Sequence, residues 1–330
     1  MEFRTKIKTP KNSFKIRHSD KIMLIGSCFS NNIGSKLHNA LIQTEINPFG
    51  TVYNPASILN EIARIISGEK IRETELFQAN GMWNHFGFHS QFSKTDVNEA
   101  LSTMNYSLEH AGTYLKHCDV LFITLGTAII YENRHTGFTV SNCHKLPARE
   151  FNRRMMNCEE VKSCLASIIT VLSEYAPQVK VIFTVSPIRH VSDGLEQNQL
   201  SKSILRTAVG EFISAHNDRC GYFPAYEIMM DDLRDYRFYA ADMVHPSDIA
   251  IEYIWDTFKD TYFDECTTQT ASFCERVSKR MAHRPMTDNH EAITRFNEET
   301  AHIVIDLIKE HPYLENLPQL KNFLRYEILD

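Results

Sequence analysis

The chain lacks the spacings that announce bound metal or crosslinks. Its 8 cysteines stand at 28, 118, 143, 158, 164, 220, 266 and 274, with no C-x-x-C, and no H-E-x-x-H occurs. That scatter argues for reduced thiols in a cytoplasmic protein and against a disulfide framework or a thiolate zinc site, so no metal and no cofactor are expected. A net basic charge is missing as well. The formal charge of −6 argues against a nucleic-acid partner, which needs a basic face, although Lys6, Lys8, Lys11, Lys15, Arg17 and Lys21 give the N-terminus a locally basic, solvated arm. The first residues carry no apolar leader, and the longest apolar tract, Val120 to Ile130, is broken by Thr and Gly and too short to span a bilayer. Nucleic-acid, membrane and disulfide-scaffold readings therefore fall away first.

What remains is an ordinary globular composition, 43% hydrophobic and 23% charged over 330 residues, enough for a large core. Apolar runs alternate with amphipathic helices. Ile22–Ile25, Thr44–Asn47, Val120–Thr124, Val179–Val185 and Gly221–Tyr226 read as strands. Helical spacing follows each of them: Asn31–Leu41, the Ile58–Ile66 stripe, the Val161–Leu172 stripe, Gly194–His216, and a last helix opened by Pro246-Ser247-Asp248. Two stretches interrupt the alternation. One, at 68–118, holds hairpin material at Met82–His89 and a helix at Val97–Lys116; the other, at 131–158, holds hairpin arms around Thr136-Gly137. Beyond residue 265 the strand signal vanishes and Thr267–Met281, His290–Lys309 and Pro318–Tyr326 read as helices.

Right-handed βα crossovers then predict a three-layer α/β/α, flavodoxin-like parallel sheet in the order 2-1-3-4-5, with an α/β domain over 1–265 and a helical extension over 266–330. In that order the switch point lies beside the carboxyl end of the first strand. The segment there is I-G-S-C-F-S-N-N-I-G, from Ile25 to Gly34. Ser27 is placed where an exposed hydroxyl attacks a substrate, and Asp242-Met243-Val244-His245 offers a base with a carboxylate to orient it. A serine-nucleophile acyl-transfer enzyme is the expectation. Cys28 is the rival nucleophile, ranked below Ser27 because the side chain after the turn should point into the packing between sheet and helix.

The I-G-S-C-F-S stretch with N-N-I-G resembles the GSCFA family, with Ser30 in place of the final alanine. F-G-T-V-Y-N-P, S-P-I-R-H and D-M-V-H-P-S resemble further blocks of that family, so the likeness covers roughly residues 20 to 265. The resemblance implies the SGNH-hydrolase fold, a serine esterase or acyltransferase, and Ser27, His245 and Asp242 as the triad. It implies Gly50 as the glycine of the second block. The third block's Gly-x-Asn-Asp is replaced by Leu125-Gly126-Thr127, so an oxyanion donor must come from Thr127, Asn54 or Asn142, with the Ser27 and Gly50 amides.

Arg189 and His190 at the end of the fourth strand, Asn142 and His144 in the second excursion, and Glu227 after the fifth strand are candidate substrate-binding residues. Arg189 reads equally as an anion anchor or as a loop strut held by Glu227 or an Asp. Glu227 leans toward a buried tether. The expected substrate is a small-molecule or carbohydrate ester, such as an O-acetyl sugar, and the tail helices offer a surface for self-association. Two alternatives stand beside hydrolysis: acyl transfer to a carbohydrate acceptor, and a binding module that has lost its oxyanion asparagine.

Overall fold

A short apolar run with no polar alternation forms a strand covered on both faces, and the first such run sets the plan of the molecule. The computed structural model describes residues 5–9, 14–216, 218–283 and 289–328. β1 (Ile22–Gly26) is buried at every residue and leads into α1 (Cys28–Asn39). β2 (Thr44–Ile46) and α2 (Pro55–Ser67) follow. The first excursion carries a hairpin of β3 (Phe77–Ala79) and β4 (Met82–Asn84), then α3 (Val97–Lys116). β5 (Val120–Leu125) is again buried throughout. The second excursion is a small antiparallel sheet of β6 (Ile129–Asn133), β7 (Thr139–Val140) and β8 (Phe151–Met155), and α4 (Cys158–Tyr175) leads back. The main sheet is completed by β9 (Lys180–Val185), α5 (Leu195–Ala215) and β10 (Cys220–Tyr222). The short turn α6 (Ala225–Glu227) precedes α7 (Asp248–Tyr262), and α8 (Glu265–Met281), α9 (His290–Glu310) and α10 (Pro318–Ile328) form the tail.

The sheet runs β2-β1-β5-β9-β10 with every pairing parallel. Counted along the chain, that is the expected order 2-1-3-4-5. α2, α3, α4 and α5 cover one face with Ile58, Met104, Leu165 and Val209 in the core, and α1 and α7 cover the other with Ile33, Leu37, Ile254 and Phe258. Each such side chain contributes roughly 1.5–3 kcal/mol by leaving water. The switch point lies where β1 has β2 on one side and β5 on the other, and the chain leaves it as α1.

Several expected elements are displaced. The first hairpin spans residues 77–84 rather than 82–89, because its turn is Asn80-Gly81, both at positive φ (53° and 73°), the pairing that suits a two-residue hairpin. β8, which the sequence does not announce, pairs along the full length of β6. The last strand stops at Tyr222, so Glu227 lies on α6 rather than at a strand end. The basic segment is no arm from Phe14 onward: Ile16 is fully buried in a bridge to Phe263, and Lys15 Nζ donates to Thr261 O at 2.8 Å. Lys11 lies outside the described residues.

The tail packs its own small core of Cys274, Val277, Val304, Leu307 and Leu314 against Leu41 at the end of α1. Trp255 Nε1 on α7 donates to Glu275 at 3.0 Å, which fixes α8 to the sheet domain. No helix among the described residues is long and apolar enough to cross a membrane.

Candidate functional site

The site begins with a backbone constraint. Gly26 closes β1 at φ 143°, and a Cβ there would sit 2.2 Å from Thr124 O of β5, so no side chain fits. Asn47 holds the same turn from the other side, its Oδ1 accepting from Gly26 N at 2.8 Å and its Nδ2 donating to Asn31 Oδ1 at 2.7 Å. Ser27 is then the N-cap of α1: its Oγ accepts from Phe29 N at 3.3 Å and donates to Ser186 Oγ at 3.0 Å. The residue is 1% exposed.

One position further, Cys28 is half-buried and lines a cavity of about 530 Å³ at the carboxyl rim of the sheet, its Sγ 3.7 Å from Tyr53 Oη. Of the two neighbours, the structure brings Cys28 rather than Ser27 to the cavity wall, where the side chain after the turn was expected in the packing between sheet and helix. The Ser27 hydroxyl is engaged by the cap and by Ser186, while Cys28, the first residue of the helix, lines the cavity. Ser27 does not line the cavity, and no hydrogen bond joins it to His245.

Asp242 and His245 do form the expected pair. Asp242 Oδ1 accepts from the backbone N–H groups of Val244 and His245, both at 2.9 Å, and Oδ2 meets His245 Nδ1 at 2.6 Å. The turn works because Met243 adopts a left-handed conformation at φ 58°. Those two amides, ahead of the imidazole, hold the Asp242 carboxyl down to about 2, so it stays ionised and keeps Nδ1 as the protonated nitrogen. Nε2 is left for chemistry, and His245 lines the same cavity as Cys28.

The expected oxyanion donors separate into spent and available ones. Gly50 N–H donates to Asn47 O at 2.7 Å and is spent on a turn. Its glycine character serves a different end: at φ 85°, a Cβ would come within 2.2 Å of His89 Cβ. Ser27 N–H is turned to Thr124 O at 3.3 Å. Thr127 lines the cavity, but its Oγ1 lies 3.0 Å from Ser201 Oγ and accepts from Ile129 N at 3.1 Å. Asn54 differs. Its Oδ1 caps α2 by accepting from Ser57 N at 2.8 Å, which leaves Nδ2 as a donor on a residue that lines the cavity. The Cys28 amide, in the first turn of α1, has no preceding helical carbonyl to bond.

The substrate-binding candidates divide similarly. Arg189, His190 and Asn142 line the cavity. Burial, then Lys202 and His245, push the His190 imidazole down to about 4, and its Nε2 is buried without a partner. Asn142 Nδ2 donates to Ser90 Oγ at 3.2 Å. His144 is set behind the wall instead, with Nε2 2.9 Å from His85 O. Glu227 is a tether away from the cavity: it accepts from Arg206 Nε at 2.5 Å and from Tyr222 Oη at 2.8 and 2.9 Å.

Sequence reasoning missed Tyr53 and Lys202. Lys202 is buried and donates to Gly126 O at 2.6 Å and Ser186 O at 2.7 Å, tying the ends of β5 and β9; burial pushes its amine down to about 7. A lysine in a helical stripe gives no sign of this.

A second, larger cavity of about 660 Å³ lies across Val140 and Ser141, which line both. Phe49, Phe77, Phe86 and Phe88 line it, together with Glu61, Arg64, Glu75 and His85. Among the described residues no three His, Cys, Asp or Glu side chains converge as metal ligands would.

Among solved structures, the fold is similar to a carbohydrate esterase family 3 protein from Talaromyces cellulolyticus (10% identity, TM-score 0.37, covering 77% of this chain and 99% of that one). It is also similar to a carbohydrate esterase family 2 enzyme with a carbohydrate-binding domain from Corynascus thermopiles (11% identity, TM-score 0.39, 78% and 67%). A third is an acetyl xylan esterase from Butyrivibrio proteoclasticus (10% identity, TM-score 0.37, 74% and 63%). So loose a likeness says nothing about this chain's chemistry. No curated protein matches the chain. The model of the GSCFA family matches residues 21–258, which takes in the whole of the parallel sheet and the turn that carries the Asp242–His245 pair, and the chain belongs to the GSCFA family.

Proposed function

We propose that the chain is an esterase-type acyl hydrolase whose nucleophile is Cys28. One observation carries the reading: Cys28 and His245 line a common cavity, and Asp242 already holds the far nitrogen of that imidazole. His245 Nε2 takes the thiol proton as Cys28 Sγ attacks the ester carbonyl carbon. The carbonyl π pair moves onto oxygen, which is met by the Cys28 amide at the N-terminus of α1 and by Asn54 Nδ2 from the cap of α2. Collapse expels the alcohol, which takes the proton back from His245, and leaves a Cys28 thioester. Water then attacks with His245 again as base, releasing the acid and the thiol. Asp242 stays ionised throughout and stabilises the imidazolium. Small-molecule or carbohydrate esters suit a cavity of this volume.

The test is to trap the intermediate. Protein mixed with p-nitrophenyl acetate, quenched in acid and fragmented, should carry one acetyl group on Cys28. That group should leave on neutral hydroxylamine, as a thioester does. An acetyl group on Ser27 instead would overturn the assignment.

A further inference from the structure

Most arginines at the carboxyl rim of the sheet are neutralised. Arg153 pairs with Asp193, Arg154 with Glu132 and Glu160, and Arg206 with Glu227. Arg219, at the opposite end, is satisfied by the carbonyls of Val179 and Ala176. Arg189 is different. Its guanidinium carbon lies 4.1 Å from the centre of the Tyr239 ring and 5.0 Å from that of Tyr236, with Nη1 3.5 Å from Tyr236 Oη. Among the described residues no carboxylate stands within ion-pair distance of it. Aromatic faces fix the plane of a guanidinium while leaving its charge unneutralised and most of its N–H edge free.

The position matters as much as the charge. Arg189 N donates to Val244 O at 3.3 Å, one residue before the proposed base, and Arg189 stands between the Cys28 cavity and a small depression of about 120 Å³ lined by Arg234, Asp235, Tyr236 and Tyr239, so that it lines both. The residues Arg189 and His245 both line the cavity that holds Cys28. Asp193, the acid that also lines it, is occupied by Arg153. We infer that this cavity takes a ligand bearing an anionic group, a carboxylate or a phosphate monoester, which the fork of Arg189 binds. Where the ligand is an ester, that grip sets the scissile carbonyl over Cys28. The binding half stands on the arginine alone, and only the second half rests on the acyl-hydrolase reading.

The experiment separates the two. In a Cys28→Ala background, succinate and inorganic phosphate are titrated calorimetrically. At least one should bind, and Arg189→Gln should weaken it about tenfold or more, the loss expected when a charged hydrogen-bond partner is removed. Arg189→Lys, which keeps the charge and loses the fork, should fall between. The ion that binds identifies the group. With Cys28 intact, mono-p-nitrophenyl succinate (anion on the acyl side) and 4-acetoxybenzoate (anion on the leaving side) are compared with p-nitrophenyl acetate and phenyl acetate. One anionic ester should be favoured over its neutral counterpart in kcat/KM, and Arg189→Gln should collapse that ratio. Failure of both ions to bind, or binding indifferent to Arg189→Gln, overturns the subsite. Arginine-dependent binding with no turnover of any ester upholds the subsite and sinks the chemistry instead.

Discussion

The two cavities at the rim share a wall and almost nothing else. The larger one, about 660 Å³, is walled by phenylalanine rings stacked in pairs, Phe49 on Phe88 at 4.1 Å and Phe77 on Phe86 at 4.2 Å. Of its two carboxyls, Glu61 and Glu75, the first is buried so deeply that desolvation pushes it up to about 8, against which the single N–H of Phe49 does little. The smaller one, about 530 Å³, gathers a thiol, an imidazole with an ionised carboxylate behind it, an amide donor and an unneutralised guanidinium. Volume follows aromatic packing, whereas the gathering of polar and titratable groups follows the convergence of strand ends with a helix N-terminus. Solvent contact decides the carboxylates: Asp242, half-exposed and given two backbone N–H bonds, stays charged where Glu61 does not.

Removing the proposed nucleophile from the smaller cavity should have the largest effect. Cys28→Ala should lower kcat/KM for p-nitrophenyl acetate by about 10³-fold or more. Its neighbour supplies the contrast: Ser27→Ala should keep turnover within about tenfold, while losing a helix cap worth about 1 kcal/mol in urea unfolding. The reverse pattern would return the nucleophile to Ser27. Next comes the proposed oxyanion donor. Asn54→Asp keeps the oxygen that caps α2 and removes the N–H donor, so kcat should fall about 10²-fold with stability nearly unchanged. A loss confined to KM would count against that role.

The smallest effect belongs to the aromatic cavity and is thermodynamic. The folded state holds Glu61 protonated up to about pH 8, while the unfolded chain releases that proton near pH 4.5. Between those values the folded state binds more protons than the unfolded one, so this group makes stability fall as pH rises, and the fall levels off above about 8. Chemical denaturation of Glu61→Gln across that window should show the downward slope removed, with ester turnover left in place. Identical pH profiles for wild type and variant would mean the carboxyl is ionised where it sits.

The sheet was legible because buried parallel strands leave an unmistakable trace. Ile22–Ile25 and Val120–Thr124 have no polar residue on either face until the rim, and helical stripes such as Ala250, Ile254, Phe258 and Tyr262 return to the core as spaced. The Asp242–His245 pair was legible for a local reason: its hydrogen bonds all close within one turn. The excursions were harder. Asn80-Gly81 states its turn outright, but β8 reads as a polar, charged segment, since only its pairing with β6 makes it a strand. Glu227 was read at a strand end because Phe223 continues the apolar run, whereas the chain bends at Pro224.

The sequence by itself determined the strand order, the helices and the turn that arms His245, because each depends on periodicity or on residues close along the chain. Which of two adjacent side chains lines the cavity was left to the tertiary structure. Ser27 and Cys28 differ in direction rather than in position, and that direction is set by Ser186 and by the cap of α1, partners distant in sequence or fixed only once the helix forms. The charge state of Glu61 and the freedom of Arg189 were decided in the same way, since burial and the company of tyrosines exist only after the chain has closed on itself.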